Sequence, residues 1–317
     1  MATRFEILLE GSDPITLRAA GEEALEEIAG AEAQLSLFLP ASEISRVNRL
    51  AAEQPVPVSP PVFDLLARCR RLWELTEGAF DITVGPLLRC WGFFREPIRR
   101  PSEEELTAAR KSVGMQHVLL DPAERTARFL RPGMLLDLGG VGKGWAIDLA
   151  VEALKAAGVS CAFLHGGTSA MHGFGQPAAG AWKVSVPHPE TERASRLGEE
   201  AGANAAPSQP LAIVELRDVA LSVSSIWGRG ARLDREFWGH VLDPRSGRPV
   251  RAAALAAARA PSAADADALS TALLVLGPAG IDRLRRAFPE ADFMAAAPED
   301  EGWRFAACGI PLINEGR

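Results

Sequence analysis

The stretch Leu135–Asp148, reading L-L-D-L-G-G-V-G-K-G-W-A-I-D, constrains this chain more than any other. An apolar run of Met134, Leu135, Leu136 and Leu138 carries one acid, Asp137. Gly139, Gly140, Gly142 and Gly144 follow with Lys143 among them, and a helical pattern begins at Trp145. Strand, glycine turn and helix start is the layout that brings backbone N–H groups close to a phosphate, here with one cation for the anion. The alternative is a tight strand-to-helix connection whose glycines only supply unusual dihedrals. Neither familiar phosphate fingerprint fits. A P-loop ends in Gly-Lys-Ser/Thr, but Gly144 follows Lys143. The dinucleotide pattern G-x-G-x-x-G fails because the spacing is Gly140-x-Gly142-x-Gly144. About twenty residues on, where a ribose-binding acid would stand, are Ala156, Ala157 and Gly158.

The rest of the composition narrows the class. A chain of 317 residues, 47% hydrophobic and 24% charged, is long enough for a sizeable core and ordinary for a globular protein. Its net charge of −7 argues against a general nucleic-acid binder. Lysine occurs only at Lys111, Lys143, Lys155 and Lys183, which makes Lys143 in the glycine turn conspicuous. Cys69, Cys90, Cys161 and Cys308 form no C-x-x-C pair, which disfavours a zinc site or disulfide framework and suits a reducing compartment. The N-terminus leads into the strand-like R-F-E-I-L-L, with no leader pattern and no apolar stretch of membrane-spanning length, so a cytoplasmic location is expected.

Periodicity predicts a strand over 4–10 and a helix over 16–36, with Leu17, Ala20, Ala24, Ile28, Ala31 and Leu35 on one face. Ser42 starts a short helix ending near Asn48, and another runs from Pro61 to Thr76. Residues 102–112 read as a helix capped by Ser102, with Glu105 completing a capping box. Strands are expected near 117–120 and 126–130, at Cys161–Leu164, in W-K-V-S-V as a continuation of the sheet, and at 211–216 and 219–224. Residues 188–209 read as a mobile surface insertion and 251–259 as merely alanine-rich. An apolar helix in A-D-A-D-A-L-S-T-A-L-L-V-L-G precedes short strands near 292–296 and 303–307.

On that last helix Asp267 and Thr271 stand four apart, so both lie on one face. A carboxylate and a hydroxyl there are two hard oxygen ligands, suited to Mg²⁺ completed by water and phosphate oxygens. The plainer readings are a first-turn acid favoured by the helix dipole and a hydroxyl bonded back to a carbonyl. Asp81, among apolar neighbours beside a helix end, reads as a cap or turn acid. His240, ahead of Asp243-Pro244, is either a general base or a core histidine satisfied by a carbonyl. His165 and His172 lack a third ligand at metal spacing and read as structural or as loop contacts.

Taken in order, SEISRVN, TEGAFDITVGPLLRCWGF, LDLGGVGKGWAID, HGGTSAMHGFG, GHVLDPRSGRP and ADALSTALLVLG closely resemble the ApbE family of flavin transferases, from Met1 to about residue 315. The resemblance implies an α+β fold of mixed and antiparallel sheets with flanking helices. It implies one domain over residues 1–317, with FAD between two packed lobes. The implied activity is Mg²⁺-dependent transfer of FMN from FAD to a Thr or Ser hydroxyl of an acceptor flavoprotein as a phosphoester, releasing AMP. By position, the metal ligands would be Asp267, Thr271 and the Gly140 carbonyl. FAD would meet Met1, Phe38, Ala79, Phe80, Asp81, Asp137 and Lys143, and His240 would be the general base. Three stretches depart from the family's pattern: Val223-Ser224-Ser225 replaces Thr-Ser-Gly, Thr168 replaces an Asp, and Phe38 replaces a Tyr. Hydrolysis of FAD to FMN and AMP, or flavin binding without catalysis, are the alternatives the same site allows.

Overall fold

The computed structural model describes residues 3–94, 97–198, 209–233, 236–300 and 302–313. Among these, the largest sheet has seven strands: β1 (Phe5–Leu9), β2 (Ala162–Gly166), β3 (Ala170–Phe174), β4 (Val219–Ser225), β5 (Leu255–Ala260), β6 (Asp292–Glu299) and β7 (Gly302–Cys308). They lie side by side in chain order, every neighbouring pair antiparallel. The helices are α1 (Pro14–Leu35), α2 (Glu43–Leu50), α3 (Pro60–Leu75), α4 (Gly85–Cys90), α5 (Glu103–Arg110), α6 (Gly142–Ala156), α7 (Pro189–Leu197), α8 (Ala263–Leu276) and α9 (Ile281–Ala287). This is the α+β architecture that the sequence led us to expect.

Strand β5 explains how the layers meet. Ala256 and Ala258 join the core beneath α6 and α8, while Leu255 and Ala257 join a second core on the opposite face. A strand buried on both faces carries no polar alternation, and small side chains let a helix lie close to it. That is why 251–259, which looks featureless in sequence, contains a central strand. Helices α6 and α8 pack against each other and on the sheet, and α1 packs along α6. The second core is closed by a ribbon of Trp182–Val186 paired with Ala212–Leu216. W-K-V-S-V therefore forms a separate two-stranded sheet instead of extending the main one.

Local caps behave as their chemistry dictates. Ser42 Oγ accepts the Ser45 N–H at 3.0 Å, and Ser102 and Glu105 form the reciprocal capping box. Two expectations need correction. Residues 134–138 are extended but belong to no ladder: the Asn48 side-chain amide takes both backbone groups of Leu136, at 2.7 and 3.0 Å. The helix that follows begins at Gly142, earlier than Trp145. Residues 188–209 contain α7, and the stretch 199–208 lies outside the described residues. Among the described residues no helix is long and apolar enough to cross a membrane.

Candidate functional site

The glycines of the turn serve close approach, not dihedral freedom: none of Gly139, Gly140, Gly142 and Gly144 has a positive φ. A Cβ on Gly144 would sit 2.0 Å from the Ala263 carbonyl oxygen, so only glycine lets the first turn of α6 touch the first turn of α8. One turn further along α6, Asp148 accepts from Ser262 Oγ at 2.6 Å and from the N–H groups of Ala263 and Ala264 at 2.7 and 3.0 Å. The start of α8 is thus capped by a carboxylate from its neighbour. The contact fixes Asp267 and Thr271 of α8 beside Lys143 and Gly140. A Cβ on Gly140 would meet Thr271 Oγ1 at 3.3 Å.

Asp267 is almost fully buried. Lys143 Nζ lies 3.3 Å from each of its carboxylate oxygens, and the Gly144 N–H and the Ser222 hydroxyl reach it at 3.3 Å as well. Thr271 Oγ1 donates to the Asp267 main-chain carbonyl at 3.0 Å. That is the plain helical back-bond; Ser224 Oγ lies 3.4 Å from the same oxygen, which keeps a lone pair for another partner. Buried hydroxyls of Ser222 and Ser270 continue from Asp267 to Ser224 at the cavity wall, with Ser270 and Ser224 2.8 Å apart.

Two loops complete the wall. After α3, the turn at Glu77 and Gly78 delivers Ala79, Phe80 and Asp81, and Asp81 Oδ1 accepts from the Thr83 N–H and hydroxyl at 2.7 and 2.6 Å. Asp81 is therefore a turn acid, as its sequence position suggests. Burial pushes its carboxyl up to about 6. The neighbouring extended segment is tied on by the Asp137 N–H, which donates to the Ile82 carbonyl at 2.7 Å. Burial also raises the Asp137 carboxyl, which accepts the Gly139 N–H at 2.7 Å.

His240 stands on the connection from β4 to β5. Trp238, two positions earlier, stacks on Trp91 of the α4 end at 5.3 Å, and the Arg251 guanidinium lies 4.9 Å from its ring. The His240 Nδ1 is 3.0 Å from the Arg229 carbonyl, an acceptor only, so Nδ1 carries the hydrogen and Nε2 keeps its lone pair. Burial, with Lys143 and Arg229 nearby, brings His240 down to about 4.

These groups surround one cavity of about 730 Å³. Phe38, Ala79, Phe80, Asp81, Asp137, Gly140, Lys143, His240, Asp267 and Thr271 all line it, and Met1 lies outside the described residues. His165 and His172 do not line it: His165 bonds the Gly167 carbonyl and Glu6, and His172 is buried in β3. Sequence reasoning missed Arg196 and Arg229, which share the wall with Ser224 of the departing Val223-Ser224-Ser225 stretch. Arg196, bonded to Thr168 Oγ1 at 2.7 Å, sits in the stretch read as a surface insertion. Nothing in its local sequence marks it. Asp148, an acid between Ile147 and Leu149 in the apolar run Trp145–Val151, did carry a signal.

Among the described residues no group of three or more His, Cys, Asp or Glu converges. The donor set beside Lys143 is different in kind: one buried carboxylate, one hydroxyl with a lone pair to spare and a glycine turn packed against that hydroxyl. Hard oxygens of this sort fit Mg²⁺ with its remaining positions left to water or phosphate. The ammonium held on Asp267 shows that the wall stabilises positive charge at this point.

The sequence model of the ApbE family matches residues 1–294. The "FAD:protein FMN transferase" of Klebsiella pneumoniae is 29% identical over 315 residues, covering 96% of this chain and 84% of its own. That of Salmonella typhimurium is 31% identical over 281 residues, covering 85% and 74%. Among solved structures, the apo flavinyl transferase ApbE of Pseudomonas stutzeri superposes with a TM-score of 0.79 at 26% identity, over 97% of this chain and 95% of that one. The flavin transferase ApbE of Vibrio cholerae gives 0.78 at 26%, over 98% and 94%.

Proposed function

The chain belongs to the ApbE family, and from that premise we propose that it transfers FMN from FAD to a Thr or Ser hydroxyl of an acceptor flavoprotein, releasing AMP. The observation that carries the reading is the convergence on one cavity of Lys143, the Asp267–Thr271 oxygen pair beside Gly140, and the bare Nε2 of His240. The names of its relatives point the same way. On this reading residues 1–317 form one domain, with FAD between two packed lobes.

The chemistry follows from the groups present. The acceptor oxygen attacks the FMN-side phosphorus, the P–O bond of the diphosphate bridge breaks, and AMP leaves with the bridging oxygen. The acceptor's proton passes to His240 Nε2, held in the right tautomer by the Arg229 carbonyl. Mg²⁺ bound by Asp267, Thr271 and the Gly140 carbonyl would neutralise charge building on the diphosphate. Lys143 faces the same anion, and a cation already in place needs little reorganisation as charge develops. Phe38, Ala79, Phe80, Asp81 and Asp137 would hold the dinucleotide in place, with Met1 as a further flavin contact.

The test incubates the protein with FAD, Mg²⁺ and an acceptor domain carrying a Thr/Ser flavinylation motif, then weighs the acceptor. A mass gain equal to one phosphoester-linked FMN supports transfer. FMN and AMP released at the same rate without acceptor would make it a hydrolase, and FAD binding with no turnover would sink both enzymatic readings.

A further inference from the structure

The three contacts of Lys143 Nζ are equal: 3.3 Å to each carboxylate oxygen of Asp267 and 3.3 Å to the Gly139 carbonyl. An ammonium equidistant from both oxygens stands over the head of the carboxylate, not beside one oxygen. Each oxygen also has a second neighbour, Oδ1 the Ser222 hydroxyl, whose single proton is shared with the Ser169 carbonyl, and Oδ2 the Gly144 N–H. What Asp267 has left to offer is its head, and Lys143 occupies it.

A hard cation drawing charge from Asp267 has to meet that same head. Two positive groups then share one carboxylate that is 3% exposed, where water screens little. Lys143 is 21% exposed and opens toward the cavity, so it has somewhere to go only when an anion is present there. We propose that Lys143 competes with the divalent cation for Asp267, keeping that site weak until a diphosphate in the cavity takes the ammonium away. The inference rests on the reading that this cavity takes a divalent cation and a diphosphate. It adds that one lysine makes the two bind as a pair. By linkage, the diphosphate tightens the cation and the cation tightens the diphosphate. An Asp267 freed from Lys143 without any diphosphate becomes the stronger ligand, because a buried carboxylate left unpaired gains most from a new cation.

The experiment titrates Mn²⁺ into the intact chain, reading free Mn²⁺ by its electron paramagnetic resonance, with and without saturating ADP as a flavin-free diphosphate. The variants are Lys143→Met, Lys143→Arg and Asp267→Ala, with circular dichroism as the check on folding. Without ADP, Lys143→Met binds Mn²⁺ about tenfold more tightly than the parent, and Lys143→Arg, which keeps the charge, stays weak. ADP tightens Mn²⁺ in the parent by a larger factor than in Lys143→Met. Unchanged or weaker Mn²⁺ binding by folded Lys143→Met overturns the competition. If Asp267→Ala still loses Mn²⁺ in that case, the cation reading survives the failure; if Asp267→Ala binds Mn²⁺ like the parent, the site itself is wrong and the inference falls with it.

Discussion

Two histidines in this chain sit near a pKa of about 4 for the same first reason, burial, and they have opposite uses. His240 opens onto the cavity with one nitrogen committed to the Arg229 carbonyl, so its depressed pKa keeps Nε2 unprotonated across the neutral range. His240→Ala should lower the transfer rate by about a hundredfold to ten-thousandfold while leaving FAD affinity near its parent value. Single-turnover kinetics and a binding titration separate the two effects, and an equal loss in both would assign His240 to binding alone. His172 has no such use. It is 4% exposed, and both ring nitrogens lack a partner among the described residues. Its folded pKa of about 4 lies below its ordinary 6.5, with Lys155 adding to the burial effect. Stability from this group is therefore complete above pH 6.5 and is lost as pH falls from there to about 4. The full loss is about 3 kcal/mol. His172→Phe should remove that part of the acid slope, read as the difference between the two proteins' urea midpoints at neutral and acid pH. Parallel pH profiles would show that His172 finds a partner in solution.

At the scale of elements, the site depends on how α6 and α8 meet. Gly144 permits the contact and Asp148 binds across it, accepting three hydrogen bonds from the first residues of α8. Asp148→Ala leaves those donors without their cap and should cost about 2 kcal/mol of stability, measured by denaturant unfolding. It should also weaken divalent-cation binding, since Asp267 and Thr271 ride on the same helix. A variant that loses stability but binds Mn²⁺ normally would show that α8 is positioned by its packing alone. Gly144→Ala should be the more damaging change, because the obstructing atom is a backbone carbonyl that cannot swing aside. These elements also show what a sequence discloses. Ser42, Ser102 and Glu105 act on donors within a few residues, so their capping is written in local order. Strand β5 is not, because its identity comes from two flanking strands and two cores. The extended segment 134–138 looked like a strand because it is apolar, yet its hydrogen bonds go to Asn48 and Ile82, far away in the chain. Likewise Asp267 and Lys143 were visible singly, whereas Ser222, Arg196 and Arg229 acquire meaning only through tertiary contact.

Across the whole molecule, the cavity is assembled from pieces scattered between Thr3 and Thr271: the end of α1, the loop after α3, the glycine turn, the end of β4, the His240 connection and α8. No single element holds the site, so a ligand filling it ties together segments that unfolding would separate. Binding to the folded state alone stabilises by mass action, about 3 kcal/mol when ligand exceeds its dissociation constant a hundredfold. For a chain of this length that corresponds to a rise in melting temperature of about 5 °C. FAD with Mg²⁺ should raise the melting temperature more than the sum of either alone, since both draw on the Lys143–Asp267 pair. A chelator should remove the excess and leave the shift due to FAD. In Asp267→Ala the FAD shift should remain and the added effect of Mg²⁺ should vanish. Differential scanning fluorimetry of the four ligand conditions on both proteins decides it. Strictly additive shifts in the parent protein would mean that the cation and the dinucleotide occupy the cavity without sharing a group.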